Sequence, residues 1–136
     1  MTRERIFEAV RKFNGLGHEC NLEISDKLGM SKLQVNQLHY LKVIDSTFEM
    51  TFGKFAEMLA VTKPSVTEIV NKLIKLNVVE KSRCERDKRI FYIKLTEKGR
   101  NIVRLPFLAE QKVVDIIIDT LNDDEIDTFI EIVNKL

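Results

Sequence analysis

The sequence predicts a mainly α-helical chain with one small β hairpin, and three observations predict it. Within residues 51–76, two short helical stripes are separated by only two residues. Directly behind them, residues 78–83 and 89–95 read as strands around a charged loop, with Phe91, Ile93 and Leu95 on one face. On either side, residues 3–28 and 97–136 carry long apolar stripes at helical spacing. Two short helices joined this tightly and followed by a basic hairpin make a winged helix-turn-helix set between longer helices.

Taken in order, Ile6, Phe7, Val10 and Phe13 open a stripe that resumes with Cys20, Ile24 and Leu28. Gly15 and Gly17 each cost about 1 kcal/mol relative to alanine in a helix, so one long helix is expected, with Gly15 the place for a bend. Residues 31–43 form a second helix, for which Ser31 and Gln34 offer a capping box and Leu33, Leu38 and Leu41 a buried side. Residues 46–50 are expected to add a strand edge for the wing. In the third helix Phe52, Phe55, Ala56 and Leu59 share a face, and Ala60-Val61 leaves room only for a turn. Thr62 then stands at a cap position with Pro64 in the first turn, where its missing N–H costs nothing. Val66, Ile69, Val70, Leu73 and Ile74 line the inner face of this fourth helix, and Asn77 suits a left-handed stop. After Thr96 a long helix begins, with Glu97 in its first turn, and Pro106 is expected to bend it without ending it. Asn122 and Glu125 form another capping box ahead of a stripe of Ile126, Phe129, Ile130, Val133 and Leu136.

At 136 residues, 44% hydrophobic and 32% charged, the chain fits a single domain, 1–136. Its net charge of +1 conceals an uneven distribution. Residues 51–100 hold twelve basic and six acidic groups, whereas residues 101–136 hold three and eight. A basic middle coinciding with a helix-turn-helix and wing is the footprint of a phosphate-facing module. Two cysteines and two histidines without ligand spacing point away from an enzyme, a metal or a cofactor. With neither a leader nor a run of eighteen apolar residues, the expectation is a cytoplasmic protein without a membrane partner.

Three segments carry a resemblance: Thr62-Lys63-Pro64-Ser65-Val66-Thr67, Asp87-Lys88-Arg89, and Leu95-Thr96-Glu97-Lys98-Gly99. In this order and at these separations the chain closely resembles the MarR family of transcription regulators, well from Met30 onward and loosely before it. The resemblance implies a homodimer on a palindromic double-stranded DNA operator. Residues 30–96 would be the DNA-binding lobe, and 3–28 and 97–136 the dimerisation helices. Lys63, Ser65, Thr67 and Asn71 would face the major groove from the recognition helix, although Ser65 and Thr67 also suit first-turn caps. Arg89 would enter the minor groove, braced by Asp87, while Arg83, Arg86 and Lys88 would meet phosphates. Glu68 departs from the arginine common in relatives, so contacts or a preferred sequence different from the family norm are expected there.

The resemblance further implies a repressor released by a small aromatic or lipophilic effector, with Phe13, Leu16, Phe48 and Phe107 as candidate pocket residues, each better suited to ordinary core. An alternative mode is thiol-based redox sensing through Cys20. His18, two residues away, does not share its helix face, and no basic cluster surrounds it, so a core cysteine is the expectation. Cys84 is the more exposed thiol, with acidic neighbours that oppose its ionisation. A winged helix serving only protein interaction would fit the same fold, but the basic wing and the polar first turn of the fourth helix stand against it.

Overall fold

A computed structural model describes every residue, Met1–Leu136, as seven α-helices, one 3₁₀ turn and three short strands. The helices are α1 (Thr2–Lys27), α2 (Val35–Asp45), α3 (Phe52–Leu59), α4 (Lys63–Lys75), α5 (Glu97–Val103), α6 (Leu105–Thr120) and α7 (Asp123–Val133). The strands are β1 (Met50–Thr51), β2 (Val79–Arg83) and β3 (Phe91–Leu95). They form one antiparallel sheet in the order β1-β3-β2, in which Met50 pairs with Ile93 and Arg83 with Phe91. No helix is long and apolar enough to cross a membrane. The chain divides into two compact units, Met1–Ile24 with Pro106–Leu136, and Ser25–Leu105.

The first unit holds most of α1 together with α6 and α7. The α1 helix runs through Gly15 and Gly17 without interruption, and no atom lies within 4 Å of a Cβ built at either position. The Phe13 ring packs 6.1 Å from Phe129, and Lys112 pairs with Glu23. Asn122 accepts the Glu125 N–H at 2.9 Å while Glu125 accepts the Asn122 N–H at 3.1 Å, the capping box that the sequence places there. Few side chains of this unit are buried. Ile6, Phe7 and Val10 on α1, Phe107 and Ile118 on α6, and Ile130 on α7 all remain exposed.

The second unit is built around Phe55, Leu41, Met50, Leu73, Ile93, Ile102, Val66, Val70 and Val78, all fully buried. Val66, Val70 and Leu73 recur at four and three residues along α4, so one stripe of that helix is committed to the core and the opposite side is free. Each such side chain contributes about 1.5–3 kcal/mol through burial.

Three local expectations differ from what the chain does. The strand edge expected over residues 46–50 is confined to Met50–Thr51, with residues 46–49 in a turn. The second helix begins three residues later than Ser31 suggests. Gly29 turns left-handed (φ 68°), residues Met30–Lys32 make a 3₁₀ turn, and Leu33 is extended as it packs on the core. The chain therefore enters α2 at Gln34, whose N–H donates to Gln37 Oε1 at 2.9 Å. Pro106 does not merely bend one helix: α5 closes at Arg104 (φ −90°, ψ 6°) and α6 starts anew at Leu105. A proline lacks the N–H that Ile102 would accept, and its ring restricts the residue before it, so the interruption falls just ahead of Pro106.

The segment Leu95–Gly99 fastens α5 to the end of α4. The Thr96 hydroxyl accepts the Gly99 N–H at 3.1 Å and donates to the Asn77 carbonyl at 2.8 Å. Lys98 Nζ donates to the Leu76 carbonyl at 3.3 Å, a cation at the negative end of α4. The Thr96 N–H donates to Val78 O at 3.1 Å, and Gly99 lies directly against that same carbonyl.

Candidate nucleic-acid interface

The helix-turn-helix is set by its caps. Thr51 accepts the Lys54 N–H at 3.0 Å and starts α3. The helix stops because Ala60 turns left-handed (φ 54°), with the Val61 N–H reaching back to Ala56 O at 3.0 Å and the Ala60 N–H to Glu57 O at 3.1 Å. This is Schellman geometry, and it redirects the chain within two residues. Thr62 then caps α4 by accepting the Ser65 N–H at 3.3 Å. The far end repeats the pattern with Asn77 (φ 60°), where the Val78 N–H reaches Leu73 O. Asparagine adopts this conformation more readily than most side chains, as its position in the sequence predicts.

On the free side of α4, Lys63, Thr67 and Asn71 are exposed and Ser65 is half-buried. The cap itself is Thr62; Ser65 Oγ accepts the Thr62 hydroxyl at 2.9 Å and keeps its own proton for another acceptor. Thr67 donates to Lys63 O at 3.2 Å, which leaves its oxygen able to accept. Glu68 pairs with Lys72 at 3.5 Å, one turn further on. This exposed pair is worth only a few tenths of a kcal/mol, but it sets a cation beside the one carboxylate on this face.

In the wing, the Cys84 N–H donates to Ile90 O at 2.9 Å and the Ile90 N–H to Asp87 O at 3.0 Å, closing the loop between β2 and β3. Arg89 Nε and Nη2 each donate to a different oxygen of Asp87 at 3.0 Å, and the Arg89 N–H adds a third bond at 3.0 Å. The guanidinium bonds first, then the backbone bond, hold the Asp87 carboxyl below the usual carboxylate range and raise the Arg89 guanidinium above its own. Arg83, Arg86 and Lys88 extend around this tip, all exposed. A hollow of about 540 Å³ opens between the wing and the two helices, lined by Gly53, Lys63, Thr67, Lys81, Arg89 and Phe91 among others. Lys81 and Phe91 have no sequence signature of their own; they join the site only through the strand register.

The two thiols differ. Cys20 is 3% exposed in α1. Cys84 is half-buried, and the Tyr92 hydroxyl donates to its sulfur at 3.6 Å. That bond, followed by the Asp87 and Arg86 N–H groups, lowers the Cys84 thiol below its usual range. The Asp87 charge opposes this, as its place in the sequence leads one to expect, but the hydrogen bonds outweigh it. Of the candidate effector residues, Phe48 (99% exposed) belongs to the Ser25–Leu105 unit and Phe13, Leu16 and Phe107 to the other. Phe48 stands on a hollow of about 710 Å³ with Ile44, Met50, Ile93, Leu95 and Arg100. Phe13 and Leu16 line a shallow apolar hollow on α1.

Comparison with known proteins agrees with this construction. The family model described as transcriptional regulator SarA/Rot matches residues 21–104. The chain is 28% identical over 126 residues to the HTH-type transcriptional regulator YpoP of Bacillus subtilis (strain 168), covering 91% of this chain and 84% of that one. Among solved structures, Streptococcus pneumoniae FabT in complex with DNA is similar with TM-score 0.55 and 26% identity, covering 98% of this chain and 93% of that one. A MarR protein from Peptoclostridium difficile is similar with TM-score 0.52 and 26% identity, over 93% and 83% of the two chains. The chain belongs to the SarA/Rot family of MarR-type winged helix-turn-helix proteins, the DNA-binding regulators of transcription.

Proposed function

We propose that the chain is a homodimeric repressor that reads a palindromic operator in double-stranded DNA, with α4 in the major groove and Arg89 in the adjoining minor groove. The observation that carries this reading is the Arg89 side chain, gripped at two points by Asp87 yet 90% exposed at a basic loop tip. A cation fixed in direction and left in water is prepared for an anionic, narrow partner. Lys63, Ser65, Thr67 and Asn71 supply donors and acceptors for base edges from the free side of α4. Arg83, Arg86 and Lys88 add affinity through phosphates without reading sequence. That FabT, 26% identical over 98% of this chain, is solved with DNA supports the same partner here.

The exposed apolar side chains of the first unit support the dimer, since a second copy is the occupant that a symmetric DNA reader requires. The two copies of α4 would then address half-sites about 34 Å apart. A lipophilic or aromatic effector would pack on Ile44, Phe48, Met50 and Ile93 in the hollow of the Ser25–Leu105 unit, which is also lined by charged residues such as Glu49, Arg100 and Arg104 and whose 710 Å³ is within the usual range for small ligands. A coupling of about 1–3 kcal/mol would loosen operator binding roughly 5- to 150-fold.

Sedimentation at micromolar concentration is expected to give twice the 15.8 kDa chain mass. Selection of bound duplexes from a random pool is expected to yield an inverted repeat with half-sites one helical turn apart. A stable monomer, or a selected site without two-fold symmetry, would contradict the proposal.

A further inference from the structure

We propose that Phe91 is a positioning residue for DNA binding, an aromatic post that aims Lys81 and Arg83 at the phosphate backbone from the inner face of the wing. This rests on the wing being DNA-facing. The register places Arg83 directly opposite Phe91 and Lys81 opposite Ile93, so all four share one face of the hairpin. That face belongs to the core at its base, where Val79 pairs with Leu95, and becomes basic toward the tip.

At the tip the Arg83 guanidinium lies over the Phe91 ring at 5.0 Å from its centre, and Lys81 Nζ lies over it at 5.6 Å. The ring is itself held edge-on by Phe52 at the start of α3, 6.3 Å away at 72°. Neither cation makes an ion pair within the protein, in contrast to Arg89. The difference matters chemically. A carboxylate fixes a cation but offsets its charge, whereas a ring face restrains the cation and leaves its charge available to an outside anion. The hollow into which Lys81 projects also carries Lys63, and Arg89 with its charge partly offset by Asp87, but no carboxylate lines it, and backbone phosphate is the anion that a DNA-facing hollow of this size meets.

The test compares duplex affinity across a salt series for the parent, Phe91→Leu, Phe91→Tyr, the Lys81→Ala/Arg83→Ala pair, and that pair combined with Phe91→Leu. Chemical shifts of the Arg83 side-chain protons are recorded without DNA. The parent is expected to show upfield-shifted Arg83 protons that relax in Phe91→Leu. Phe91→Leu is expected to bind about 3- to 10-fold more weakly, with a salt slope shallower by about one, and Phe91→Tyr to restore both. In the Lys81→Ala/Arg83→Ala background, Phe91→Leu should cost nothing further. An equal loss in both backgrounds, no loss in Phe91→Leu, or unshifted Arg83 protons in the parent would each overturn the inference while leaving DNA binding intact. A parent that binds no duplex would refute the DNA reading and this inference together.

Discussion

Gly99→Ala is expected to destabilise the protein by about 3 kcal/mol, lowering Tm by roughly 10 °C. A Cβ at this position would sit 2.1 Å from Val78 O and 3.1 Å from its carbonyl carbon. The carbonyl has little freedom to retreat, because it accepts the Thr96 N–H at 3.1 Å in the joint that ties α5 to the end of α4. Relief would require moving α5, and with it Ile102, out of the core that supports the helix-turn-helix. Gly53→Ala is the matched control: it lies in α3, has no atom within 4 Å of its built Cβ, and should leave Tm unchanged or slightly raised. Thermal unfolding followed by circular dichroism measures both. Equal midpoints for Gly99→Ala and the parent would mean that the joint yields without cost.

Arg89→Ala is expected to weaken operator binding about 10- to 100-fold, with the greatest loss at sites whose flanks are A/T-rich and narrow in the minor groove. Asp87→Ala should give a smaller loss of the same kind, since the arginine keeps its charge but loses its direction. Lys88→Ala should weaken all duplexes alike, because a phosphate contact carries no sequence information. The pH dependence follows from the same pair. Arg89 holds the Asp87 carboxyl below the usual carboxylate range, so the brace is intact above that lowered pKa and is lost as pH falls through it. The flank preference should therefore be flat between about pH 8 and pH 5. Competition between operators that differ only in their flanks would measure this, and an unchanged preference in both Arg89→Ala and Asp87→Ala would remove Arg89 from the minor groove.

Much of the helix-turn-helix is legible in the sequence because local chemistry dictates it. Thr62 and Asn77 act within a few residues of themselves, and their side chains suit the ends of α4 whatever lies around them. The Val66, Val70 and Leu73 stripe likewise needs only helical spacing to be seen. What is hidden depends on distant partners. Ser31 carries a capping signature, but Gly29 and the pull of Leu33 onto the core move the helix start to Gln34. Pro106 follows an unbroken apolar pattern, so periodicity conceals the stop at Arg104. Thr96, Lys98 and Gly99 are readable as parts of a motif, yet the reason for each of the three lies some twenty positions away in the carbonyls of Asn77, Leu76 and Val78. In the interface, the bond from Arg89 to Asp87 spans two residues and is anticipated. The stacking of Arg83 and Lys81 on Phe91 appears only once the hairpin register is known.

The most direct test of DNA recognition by α4 and the wing is duplex affinity as a function of salt. A fluorescent duplex carrying the selected operator is titrated with the parent protein between 50 and 200 mM monovalent salt. Binding is expected at low salt, with log affinity falling linearly against log salt and decreasing about 10³-fold over that interval, as several lysine and arginine contacts release counterions. No binding to any duplex even at 50 mM salt would contradict it, and would mark the basic wing as a surface for another protein.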